Sequence, residues 1–167
     1  NAGKIINTPF PEYAPVLSPD ETYIVFTSRR EGSTGGEKDA YGNYYEDIYY
    51  STKTDSGWSP VKHFSGKINS PTHDAGAAFI PSTETFVFYR TDEKKTGGDL
   101  YTSTKKENEW DAPAMMTEKI NSEYSEHSLA FSPAGDVIVF SSNRPGGLGG
   151  KDLYRVIKFD NGTYSTP

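Results

Sequence analysis

Cysteine is absent from the 167 residues, which excludes a disulfide framework, a thiolate metal site and a cysteine nucleophile and leaves the redox compartment open. Positive charge is scarce: 17 Lys and Arg stand against 23 Asp and Glu, a formal net charge of −6, and the isoelectric point is near 5.1. A surface that binds nucleic-acid phosphates or anionic lipid needs the opposite balance, so nucleic acid drops out as a partner. Long apolar runs are missing too. Val137-Ile138-Val139-Phe140 is among the longest, far below the roughly 20 residues of a membrane-spanning helix. No initiator Met precedes Asn1, which predicts a segment processed or excised from something longer.

Aromatic residues are plentiful. The 12 Tyr, 9 Phe and 2 Trp make up 14% of the chain, more than a disordered segment carries, even though mean hydropathy is only −0.70. A chain of this length builds one domain, or a piece of one, around a real core.

Self-comparison reveals three units. Ile6-Asn7-Thr8 returns as Ile68-Asn69-Ser70 and Ile120-Asn121-Ser122. Ser18-Pro19-Asp20 with Tyr23-Ile24-Val25-Phe26 returns as Pro81-Ser82 with Thr85-Phe86-Val87-Phe88, and as Ser132-Pro133-Ala134 with Val137-Ile138-Val139-Phe140. Asp47-Ile48-Tyr49 is matched by Asp99-Leu100-Tyr101 and Asp152-Leu153-Tyr154, and Trp58 by Trp110 and Tyr164. The units run over about residues 6–67, 68–119 and 120–167, and the extra length of the first falls in a Gly- and Tyr-rich insertion, residues 31–46.

Within each unit, short apolar runs are bounded by Gly, Pro, Asn and Asp, the punctuation of strands. The first unit predicts strands over 13–17, 22–28, 47–53 and 57–62. The one helical candidate, 105–120, is broken by Pro113 and lacks a 3.6-residue period. The expected class is all-β: a β-propeller with three four-stranded antiparallel blades visible, part of a ring of about six. Three blades do not close, so either a parent chain supplies further blades, the favoured route, or two copies assemble.

The run Phe140-Ser141-Ser142-Asn143-Arg144-Pro145-Gly146-Gly147-Leu148-Gly149-Gly150-Lys151-Asp152-Leu153-Tyr154, with Ser18-Pro19-Asp20 ahead of Tyr23-Ile24-Val25-Phe26, resembles the WD-repeat-like propeller repeats of the TolB/PD type. The fuller order, Ile-Asn-Ser, His73-Asp74-Ala75, Gly-Gly-Asp-Leu-Tyr, Trp-x-x-Pro, is similar to the propeller of OmpA-family envelope lipoproteins of the Bacteroidetes, those of the PorE type in the type IX secretion system among them. The resemblance covers essentially the whole chain. It departs at Pro81-Ser82-Thr83-Glu84 and at Ala134, where the turn pattern degenerates. It implies a periplasmic, outer-membrane-associated parent whose partners are other envelope proteins, reaching peptidoglycan through a domain absent from this chain. It carries no catalytic residues and no cofactor.

Candidate residues fall into two groups. Asp47, Asp99 and Asp152 recur in each unit and are expected to tie a strand to its neighbouring turn, with Arg30 and Arg144, and Arg90 two positions earlier in its unit, as their ion-pair partners. Trp58 and Trp110 are expected to pack between blades. The binding candidates lie where propeller loops converge on a central channel, just before the innermost strands: Glu12, Tyr13, His73, Asp74, Glu126 and His127. Tyr41, Tyr44 and Tyr45 in the insertion offer recognition area with few rotors. Oxygens of Asp39, Asn43 and Glu46 would suit a hard cation, although their spacing fits no EF-hand loop.

No histidine spacing suggests zinc, and no metal or catalytic residue is assigned. Gly146 to Lys151 lacks phosphate-loop spacing, and the two Ser-x-x-Lys matches, at Ser59 and Ser103, lack the partner motifs that chemistry needs. The expected function is a non-catalytic interaction scaffold of a bacterial envelope complex. The alternatives are a propeller gating a prolyl-oligopeptidase-like peptidase, and a module binding glycan or peptidoglycan through Trp and Tyr.

Overall fold

The computed structural model describes residues 2–91 and 97–167. It contains strands, turns and bends, and no helix among the described residues. The first sheet holds β1 (Glu12–Leu17), β2 (Tyr23–Ser28), β3 (Asp47–Thr54), β4 (Gly57–Trp58) and β5 (Lys62–His63), in the order β1-β2-β3-β4 with β5 also on β3. The second holds β6 (Asp74–Phe79), β7 (Thr85–Thr91), β8 (Gly98–Lys106), β9 (Glu109–Trp110) and β10 (Ala114–Met115), and the third β11 (Glu126–Phe131), β12 (Val137–Ser142) and β13 (Asp152–Ile157). All pairing is antiparallel, and the three long strands of each sheet pair in chain order, the meander of a propeller blade; β5 and β10 return to β3 and β8 past the short β4 and β9.

The outermost strand is not continuous. In the first sheet it splits into β4 and β5 around Pro60, and in the second into β9 and β10 around Pro113. Proline has no N–H to give the ladder, so the expected strand over 57–62 breaks there. In the third sheet the fourth strand shrinks to one bridge, Lys158 to Tyr164.

The turn between first and second strands closes in every copy despite the degenerate sequence: Ser18 N–H donates to Tyr23 C=O, Ile80 to Thr85 and Ser132 to Val137, each at 2.9 Å. A left-handed residue makes the reversal, Glu21 in the first unit (φ 57°) and Gly135 in the third (φ 75°), but one place earlier, Ser82 (φ 59°), in the second. Where Ser-Pro-Asp is lost, the turn shifts its strained residue and keeps its closing bond.

Inner strands pack side by side, β1 on β6 and β6 on β11. Two apolar cores fill the joints. Val25 and Ile48 of the first sheet meet Ile68, Phe79, Phe86 and Phe88 of the second, and Val87 and Leu100 of the second meet Ile120, Phe131, Ile138 and Phe140 of the third. Each joint also has a polar lock. Asn69 accepts from Ile48 N–H and donates to Ile48 C=O, both at 2.9 Å, while Asn121 does the same to Leu100 at 3.0 and 2.9 Å. The repeated Ile-Asn thus plugs each unit into the third strand of the one before it.

Candidate functional site

The first residue of each inner strand is an acid, and all three acids are enclosed. Glu12, Asp74 and Glu126 open β1, β6 and β11 rather than preceding them, as the sequence led us to expect. Glu126 accepts from Ser122 Oγ at 2.8 Å, Ser142 Oγ at 2.6 Å and Arg144 Nη2 at 3.2 Å, and Arg144 continues to Ile120 C=O at 2.6 Å. Glu12 repeats this with Thr8 Oγ1 at 2.5 Å, Ser28 Oγ at 3.1 Å and Arg30 Nη2 at 3.3 Å, and Arg30 reaches Ile6 C=O at 2.8 Å.

The second unit solves the same problem with a shorter acid. Arg90 takes the register place of Ser28 and Ser142, and its Nε donates to Asp74 at 2.7 Å while Nη2 donates to Ile68 C=O. Burial pushes the Asp74 carboxyl up, against Ser70 and Arg90, which pull it down.

The expected pairing of Arg30 with Asp47 and of Arg144 with Asp152 is therefore corrected. The guanidinium fork is satisfied by the inner-strand acid together with the carbonyl of the repeated Ile, and it lies over an aromatic face: Phe26 and Tyr49 for Arg30, Phe140 and Tyr154 for Arg144. Asp47 is engaged elsewhere, by Thr34 N–H and Oγ1 at 2.7 and 2.8 Å and by His63 at 3.1 Å, and burial raises its pKa against those bonds. Asp152 accepts from Gly149 N–H at 2.9 Å, and Asp99 stands opposite Arg90 in the β7–β8 register.

Beside the first joint the structure gathers a polar cluster that the repeat does not contain. Glu46 accepts from Tyr13 OH at 2.9 Å, from Arg29 Nη2 at 2.6 Å, and contacts His73 Nδ1 on its second oxygen. Arg29 also donates to Asp39 at 2.8 Å, and the Tyr45 ring lies 4.1 Å from the His73 ring. Asp39 caps its own loop, accepting from the N–H groups of Asn43 and Tyr41 at 2.9 Å, which together with Arg29 hold its pKa at about 2. Burial raises Tyr13, partly offset by Arg29. Of the oxygens considered for a cation, those of Asp39 and Glu46 are thus held by the Arg29 guanidinium, and Asn43 turns its amide N–H to Asp39. Among the described residues no group of three or more acids or histidines is arranged for a metal.

At the second joint His127 lies edge-on to Tyr89 at 4.5 Å, with Ser125 Oγ at 2.8 Å and Lys151 Nζ at 2.5 Å. Burial first, and Lys151 second, push its pKa below the ordinary value. The structure therefore joins Tyr13, Tyr45 and His73 in one cluster and leaves His127 in another. Tyr41 stands alone in solvent, 91% exposed, and Tyr44 is held on the loop by Lys38, 4.2 Å over its ring. Trp110 is buried against Phe64, 4.7 Å between rings, and Trp58 is half-buried against Ile6, Phe26 and Tyr49, so neither offers a sugar much open face. Arg29, Tyr89 and Lys151 escaped the sequence reading because they sit at non-repeating positions; the one hint was Arg29 beside the repeating Arg30.

No protein-family model and no curated protein matches the chain. Among solved structures it is similar to TolB from Acinetobacter baumannii, with a TM-score of 0.56 and 18% identity over 97% of this chain. The fold is that of the TolB-type β-propeller. The match covers 33% of the TolB chain, so the chain spans about a third of that protein's length.

Proposed function

We propose that the chain is a non-catalytic propeller segment that presents a protein-docking surface in a bacterial envelope complex. The observation that carries this reading is the division at the start of each inner strand. An acid is locked into the frame by Arg and by Ser or Thr hydroxyls, the Arg being anchored in turn on a loop carbonyl, while the position that follows the acid differs in every copy: Tyr13, Ala75 and His127. A rigid scaffold bearing variable side chains suits recognition, and the inner-strand acids are engaged by the frame.

The setting follows from the motif resemblance: a periplasmic, outer-membrane-associated parent of the OmpA-family lipoprotein kind, contacting peptidoglycan through another domain, with type IX secretion as the specific assembly. A photo-crosslinking amino acid at Tyr13, Tyr41 or His127 of the parent protein in its source cells tests the whole reading. The expected result is an adduct of one mass, shared by Tyr13 and His127, in the outer-membrane fraction. Recovery of the parent in the cytoplasm, or no adduct from any of the three sites, overturns it.

A further inference from the structure

The first joint departs from the second at its other end, away from the inner-strand acids. There Tyr23 and Tyr50 of the first sheet, Phe64 and Trp110 wall a cavity of about 290 Å³. Phe64 and Trp110 are buried, 4.7 Å between ring centres, while Tyr23 and Tyr50 are half-buried and stand edge to face at 6.2 Å. The frame does not require these tyrosines. At the same register places the second sheet carries Thr85 and Thr102, and Thr85 closes that end with a hydroxyl bond to Thr104 at 2.9 Å.

The polar groups around the cavity offer hydrogen-bond donors. Lys105 is half-buried with Nζ 5.7 Å from the centre of the Tyr23 ring, and among the described residues no acid pairs with it, whereas its neighbour Lys106 is held by Asp111 at 2.8 Å. Asn108 adds an exposed amide to the lining. The Tyr23 hydroxyl is buried and has no hydrogen-bond partner. Burial first, and then the Glu84 and Asp20 carboxylates, raise its pKa, so it keeps its proton. Asp20 is itself occupied, accepting from the hydroxyls of Ser18 at 2.6 Å and Thr22 at 2.8 Å. A half-buried ammonium without a counter-ion and a buried hydroxyl without an acceptor are both costly until an oxygen-bearing anion meets them.

We infer that this pocket binds an aromatic carboxylate, its ring between Tyr23 and Tyr50 and its acid against Lys105 and Asn108. Aromatic walls favour a flat apolar ring, and an unpaired ammonium at their edge favours an acid on it. The volume lies at the lower bound of ligand pockets, about 300 Å³, which suits one ring with its acid. A free aromatic acid and the C-terminal aromatic residue of a peptide offer the same chemistry. Beyond Trp110 and Asn108 the surface continues as a second hollow of about 320 Å³ along Ser65, Gly66 and Lys67, where the residues ahead of such a terminus would lie. The site is at the opposite end of the strands from Tyr13 and His127 and does not depend on the docking role.

Isothermal titration calorimetry of the protein with N-acetyl-L-phenylalanine tests this, and a ligand of that size is expected to bind with a Kd of about 0.1–1 mM. Its carboxamide, which lacks the charge, is expected to bind about tenfold more weakly, and N-acetylglycine, which lacks the ring, not at all. Lys105→Met keeps the apolar stem and is expected to bring the acid down to the level of the amide. Tyr23→Thr installs the residue the second sheet carries at that place, where Thr52 stands as Thr104 does beside Thr85, and is expected to abolish binding with the far-ultraviolet circular dichroism unchanged. No heat from the acid at about 5 mM, several times that Kd, overturns the inference, as do equal affinities for acid and amide in the wild type or binding indifferent to Tyr23→Thr. An acetylated Gly-Ser-Gly-Phe peptide that binds more tightly than N-acetyl-L-phenylalanine supports a peptide terminus as the ligand, and equal affinity supports a free aromatic acid.

Discussion

Replacing Asn121 by Ala removes the polar lock of the second joint together with a longer bond from its amide to Met116 C=O at 3.4 Å. The side chain accepts from Leu100 N–H at 3.0 Å and donates to Leu100 C=O at 2.9 Å, with Asn121 6% exposed and Leu100 fully buried. A buried hydrogen bond contributes about 1 kcal/mol net, and a buried backbone group left without a partner costs about 1–3 kcal/mol. The C=O keeps its bond from Met116 N–H at 2.9 Å, so only the N–H is orphaned, and the expected loss is about 2–4 kcal/mol. For a chain of this size that lowers Tm by about 5–15 °C. Urea unfolding followed by tryptophan fluorescence reads it directly, since Trp110 lies in the core of the first joint. Asn69→Ala, the equivalent change at Ile48, is expected to cost as much. Losses below about 0.5 kcal/mol at both sites would refute the claim that the repeated Asn welds one blade to the next.

Arg144→Met is expected to destabilise by about 3–5 kcal/mol, because it strips the cation from the fully buried Glu126; adding Glu126→Leu returns part of that loss in the same denaturation assay, and a double variant weaker than the single one would contradict the pairing. His127 is expected to titrate below its ordinary 6.5, and Lys151→Gln to raise its midpoint. With the folded value depressed, the stability this group contributes is fully present above pH 6.5 and lost as pH falls through the folded pKa. Proton NMR of the three histidines follows both effects, and a midpoint above 6.5, or one indifferent to the substitution, would dismiss the Lys151 contact.

The fold was readable because it repeats. Three copies of an apolar, punctuated pattern fixed the class, the strand order and the meander, and even where Pro81-Ser82-Thr83-Glu84 abandoned the turn signature, the flanking Val and Phe of β7 kept the register. Breaks in the outer strands were legible in principle from Pro60 and Pro113. The acid–arginine pairing was not, because sequence distance says nothing about which of two carboxylates faces a guanidinium. Asp47 and Glu12 both stand opposite Ser28, one on each neighbouring strand, and the choice between them depends on the carbonyl of Ile6 nearby. The cluster around Glu46 was hidden for a different reason: Tyr13, Arg29, Glu46 and His73 come from four segments that only the joint brings together.

The same comparison separates what the blades need from what they are free to vary. A feature present three times with different letters, acid plus hydroxyl or arginine plus loop carbonyl, is held by the fold, since Asp74 with Arg90 and Glu126 with Ser142 and Arg144 reach one arrangement from different residues. Beside it, the position after each acid and the position after Ser28, Arg90 and Ser142 follow no rule: Tyr13, Ala75 and His127 in one series, Arg29, Thr91 and Asn143 in the other. Strand alternation turns the residue after a buried acid away from that acid's partners, so it can change without disturbing the frame. Those variable positions, together with the insertion that only the first unit carries, build the polar cluster at the first joint, whereas His127 and Tyr89 build a different one at the second. The surface is thus chemically distinct at each joint of a near-identical frame, and that distinctness is the property on which the proposed docking role rests.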